Sequence, residues 1–71
     1  MSWEGLEPEL REIAERVCTP RQVDVLKLKA SGAGWQRIAQ ILGVSKATVR
    51  EHFAAADLRI RQETAALRGV S

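Results

Sequence analysis

An all-α domain of four helices is what the sequence predicts, and three observations predict it. Ala, Leu, Arg, Glu and Gln are plentiful and Tyr is absent, which is a composition of helix formers. Apolar residues recur three or four apart in four successive stretches, the period of a helix stripe. Between the stretches stand Thr, Ser, Pro and Gly, where helices start and stop.

Leu6, Leu10, Ile13 and Val17 form the first stripe. Pro8 is tolerated only in a first turn, so this helix should run from about 7 to 17. Glu7, Glu9 and Glu12 lie toward its positive N-terminal end. Thr19-Pro20-Arg21-Gln22 announces the second helix. Thr19 is a good N-cap, Pro20 suits the first helical position, and Gln22 can close a capping box. Val23, Leu26 and Ala30, widened by Val25 and Leu28, form its apolar face. Two glycines in Ser31-Gly32-Ala33-Gly34 end it, giving about 20–31.

Trp35, Ile38, Ala39 and Leu42 form a third stripe, a short helix of about 35–42, and Gly43 follows where a left-handed residue is needed. Ser45 caps the fourth helix, with Val49, Phe53, Ala56 and Ile60 on its stripe. Neither Gly nor Pro occurs from 46 to 68, so this helix should be long, about 46–66. There is no repeat, low-complexity segment or linker. The chain reads as one domain over 1–71, with an acidic helix in 1–18, a core in 19–62 and a C-terminal end in 63–71. A chain of 71 residues has a thin core and little room for a pocket.

Charge is uneven along the chain. Residues 1–18 carry five glutamates and two arginines, a net of −3, whereas 19–71 carry a net of +5. The basic part is the one that should meet an anion. The single Cys18 cannot form an internal disulfide, which favours a reducing, cytoplasmic setting, and it reads as a small buried hydrophobe. No apolar run is long enough for a membrane helix. Catalysis finds no nucleophile set, phosphate loop or carboxylate pair, so no enzyme is expected. With one His and one Cys, neither metal nor cofactor is expected.

The informative stretch runs from Trp35 to Ala54: a short helix, a turn at Gly43 and a capped second helix. Ala39 is small where the helices would cross, and Ile38, Leu42, Val44 and Val49 bury the inside of the corner. The first turns of the last helix are left facing outward, in the manner of a major-groove reader. This run resembles the helix-turn-helix of LuxR-type regulators and of sigma-factor region 4. The resemblance rests on Thr19-Pro20-Arg21 with Val25-Leu26-Leu28, then Ile38-Ala39, Leu42-Gly43-Val44-Ser45 and Thr48-Val49 with His52. It covers about residues 19–62.

LuxR-type domains add a short dimerising helix after a break, and no break is found here. The helix ahead of the motif and the long last helix are like sigma region 4, and the resemblance therefore implies that architecture. On size alone the chain reads as a free-standing small regulator of phage or mobile-element type.

By position, the resemblance implies that Lys46, Ala47, Thr48, Arg50 and Glu51 face bases. It implies phosphate contacts from Arg21, Trp35, Gln36, Arg37 and Ser45. Trp35 also reads as a core plug at the helix start, and Trp3, ahead of any helix, as packing on helix 1 or covering the core edge. Leu58, Ile60, Leu67 and Val70 exceed what a thin core needs, so the end of the last helix is expected to offer a homodimer face. The expected function is sequence-specific binding of double-stranded DNA by a transcriptional regulator. The rival is a protein-interaction module that binds RNA polymerase or a sigma factor. A third reading is a DNA-recognition subunit of a packaging or recombination machine.

Overall fold

The computed structural model describes residues 3–69. A 3₁₀ turn, Trp3–Gly5, precedes four helices: α1 (Pro8–Val17), α2 (Pro20–Ala30), α3 (Trp35–Leu42) and α4 (Lys46–Arg68). No strand occurs among the described residues.

The boundaries follow from local chemistry. Pro8 opens α1 and Pro20 opens α2, each where its missing amide costs nothing. The capping box at α2 is complete: the Gln22 amide donates to Thr19 Oγ1 at 3.2 Å, and the Thr19 amide donates to Gln22 Oε1 at 3.0 Å. Gln22 is buried as a result, an outcome its polarity alone does not suggest. Helix α2 stops at Ala30, one residue short of the expected end, because Ser31 serves as its C-cap and donates its hydroxyl to the Leu28 carbonyl at 2.6 Å. Gly43 ends α3 at φ 69°, the left-handed region open to glycine at little cost. Helix α4 runs two residues past the expected end, to Arg68, since nothing before Gly69 interrupts it.

Helix α4 is the spine on which α1, α2 and α3 all pack. Val25 of α2, Ile38 of α3 and Val49 of α4 are fully buried where these helices meet, with Ala39 beside them. Each such aliphatic side chain contributes about 1.5–3 kcal/mol of transfer free energy. Leu42, Val44, Leu28 and Phe53 close over this cluster. Helix α1 joins through Ala14 and Cys18, and the Cys18 thiol lies 3.8 Å from the Ala56 carbonyl. Two further ties hold α1 to the second half of α4. Arg59 donates to the Val17 carbonyl at 3.0 Å, and Arg16 pairs with Glu63.

Two expectations need correction. Trp3 stands not ahead of all helical structure but inside the 3₁₀ turn, buried and packed toward α2, with the Lys27 ammonium 5.9 Å from its ring centroid. The thin core also leaves more space than expected. A cavity of about 280 Å³ opens between the 3₁₀ turn, α1, α2 and α4.

Candidate nucleic-acid interface

The corner between α3 and α4 is built by three residues. Gly43 reverses the chain, Val44 tucks back with its amide on the Ala39 carbonyl at 3.1 Å, and Ser45 starts the next helix. The Ser45 side chain accepts from the Thr48 amide at 3.1 Å, so one of the free amides at the helix start is satisfied internally. Behind the corner, Val49 and Ile38 are locked in the core, which fixes the rotation of α4 about its axis. That rotation leaves Lys46, Ala47, Arg50 and Glu51 exposed on the first two turns. Neither Lys46 nor Arg50 makes an ion pair among the described residues.

Thr48 differs from its four companions. It is half-buried, and its hydroxyl lies 2.8 Å from that of Ser45. Its side chain serves the cap, which the alternation of charged and small residues around it does not reveal.

The start of α3 forms the second part of the surface. Gly34 is the N-cap and offers no side-chain acceptor, so the leading amides of α3 stay uncapped. An uncapped helix start carries partial positive charge toward an anion. Gln36 and Arg37 are exposed on the same turn. Trp35 is half-buried and meets Phe53 edge-on, with ring centroids 5.1 Å apart and planes at 73°. The Lys29 ammonium lies 4.2 Å from the Trp35 ring centroid. Trp35 thus plugs the core edge, and this basic group beside it was not singled out from the sequence. The two residues are six apart across a turn, so no helical spacing links them. Arg21 is exposed on the first turn of α2, and no hydrogen bond or ion pair among the described residues ties it to the corner.

The residues expected to form a dimer face do not come together. Leu58 and Leu67 are 56% and 58% exposed, and Ile60 is half-buried, lining the cavity under α1. At about 100° per residue Leu58 points nearly opposite to Ile60 and Leu67. Leu67 instead borders a hollow shared with Glu9, Glu12 and Ile13 of α1. Val70 lies outside the described residues.

Burial raises the Cys18 thiol above its ordinary ionisation range, and the nearby Arg59 guanidinium partly offsets this. Among the described residues no group of His, Cys, Asp and Glu is placed to hold a metal ion, and no helix is long and apolar enough to cross a membrane.

No curated protein and no solved structure matches the chain. The family model described as bacterial regulatory proteins, luxR family, matches residues 16–64, more than half of the chain, from the last turn of α1 through most of α4.

Proposed function

The chain belongs to the luxR family of bacterial regulatory proteins, a DNA-binding and non-enzymatic helix-turn-helix family, and from that premise we propose that it reads double-stranded DNA sequence-specifically to regulate transcription. In this reading the first turns of α4 enter the major groove. The observation that carries it is the open face of Lys46, Ala47, Arg50 and Glu51, held at one rotation by Val49 beneath and without an ion pair among the described residues. Arg and Lys suit the guanine edge, and Glu accepts from cytosine. The uncapped start of α3, with Gln36 and Arg37, supports phosphate contacts that set the docking angle. Arg21 is the outlying member of the phosphate set.

A single module of this kind covers about 600–1,000 Å². A homodimer would double that, and the exposed Leu58 on α4 supports it. Since Leu58 and Leu67 face apart, the dimer uses one of them and not both. Sedimentation of the free protein at high micromolar concentration tests this part alone; a monomer there removes it.

The whole reading is tested by selection from a random duplex pool at moderate and raised salt. A motif that survives the higher salt is expected, because phosphate contacts alone give retention that collapses as salt rises. Retention without any motif refutes sequence-specific reading. That result favours the module that binds RNA polymerase or a sigma factor, for which the unbroken α4 and the acidic α1 speak.

A further inference from the structure

The cavity between the 3₁₀ turn, α1, α2 and α4 takes no part in DNA reading as described above. Its walls are apolar: Trp3, Leu6 and Leu10 from the N-terminal part of the chain, Leu26 from α2 and Phe53 from α4. Ala14 and Ala30 contribute only methyl groups there, which is why the space stays open. Its volume of about 280 Å³ lies at the lower edge of the range seen for small-molecule pockets, about 300–1,000 Å³. One charged residue lines it, Lys29, and Lys29 makes no ion pair among the described residues. Its ammonium rests over the face of Trp35 instead. An apolar chamber bordered by one cationic side chain, whose ammonium is held on the Trp35 ring and by no carboxylate among the described residues, matches a small molecule with an apolar body and one anionic end.

We propose that this cavity binds a small carboxylic acid with an apolar chain or ring, the carboxylate meeting Lys29 and the body lying between Trp3, Leu26 and Phe53. The size admits roughly ten non-hydrogen atoms. An occupant touches α4 directly through Phe53 and meets the start of α3 only through Lys29, whose ammonium lies on Trp35. Binding the folded state alone, it raises the thermal midpoint in proportion to the logarithm of its concentration.

The experiment titrates octanoate, and separately 1-octanol, into the full chain without DNA. It follows the Trp3 indole N–H resonance and the thermal midpoint. Octanoate is expected to shift the Trp3 signal saturably and to raise the midpoint by on the order of 10 °C at about 100-fold excess over its Kd. Octanol lacks the anion and is expected to bind about tenfold more weakly. Lys29→Gln should bring octanoate down to the level of octanol, and Ala30→Leu should abolish both by filling the space. Equal binding of acid and alcohol, no saturable shift up to millimolar octanoate, or unchanged octanoate binding by Lys29→Gln overturns the proposal. So does a Trp3 shift that tracks protein concentration alone, which would make a second copy of the chain the occupant. DNA is absent throughout, so the outcome is independent of the DNA-binding reading.

Discussion

The hydroxyls of Ser45 and Thr48 lie 2.8 Å apart, and the Thr48 amide donates to Ser45 Oγ at 3.1 Å. One side chain therefore closes the start of the helix proposed to read DNA, and a second braces the first. Ser45→Ala should lower stability by about 1 kcal/mol, the usual cost of a lost N-cap. For a domain of this size that is a fall of about 4–8 °C in the thermal midpoint. Ser45→Asp keeps an acceptor and should hold the midpoint near that of the parent chain. Placed beside a phosphate, its added negative charge should still weaken DNA binding. Thermal unfolding and DNA titration of the two variants separate cap from contact. If Ser45→Asp binds DNA as well as the parent chain, Ser45 does not approach a phosphate.

Lys46 and Arg50 project from the same two turns with no ion-pair partner among the described residues. Alanine at either position should leave the thermal midpoint within the small range of surface substitutions, about 0.5 kcal/mol. Specific DNA affinity should fall by about 1–3 kcal/mol for each side chain that reads a base, with relaxed preference at one position of the site. A loss shared equally by all sequences would instead assign that side chain to the backbone of the DNA.

Arg59 reaches from α4 to the last carbonyl region of α1, donating to Val17 O at 3.0 Å. Helix ends carry unmatched carbonyls, and a cation there is well placed. Arg59→Ala should destabilise by about 0.5–1.5 kcal/mol and speed hydrogen exchange in the last turn of α1. Glu63→Gln breaks the exposed ion pair with Arg16 and should cost under about 1 kcal/mol. Exchange that quickens equally throughout the chain in Arg59→Ala would show that α1 does not open separately.

The Cys18 thiol is buried and its ionisation is pushed above the ordinary thiol range, chiefly by desolvation, with Arg59 opposing. The unfolded chain ionises first as pH rises, so this group's contribution to stability is full at neutral pH. It is lost through the alkaline range above the ordinary thiol value. Alkylation by iodoacetamide at pH 8 should be far slower in the folded chain than in denaturant. Cys18→Ser should flatten the alkaline end of the stability profile. Rapid labelling of the native chain would contradict the burial.

The helices were legible because each is marked twice, by its stripe and by its ends. Thr19-Pro20 and Gln22 fix the start of α2, and Gly43-Val44-Ser45 fixes the corner, through bonds that lie within five residues. The open face of Lys46, Arg50 and Glu51 follows from the same local period. What escaped depends on groups far apart in sequence. The Arg59–Val17 and Arg16–Glu63 ties span more than forty residues, and the cavity is lined by residues of four elements, with the small Ala14 and Ala30 among them. The three residues expected on one dimer face are parted for a simpler reason. Leu58 and Ile60 are two apart, and a helix sends such neighbours to different sides.

Helix α4 runs 23 residues without interruption. A rod of that length is about 34 Å, and a tilt of about 10° at its first turns carries its far end through about 6 Å. In the proposed reading the domain is thereby a lever as well as a reader. Whatever angle the first turns adopt is amplified at Leu67 and Arg68, where a probe attached to the chain would register small differences between target sites as large displacements.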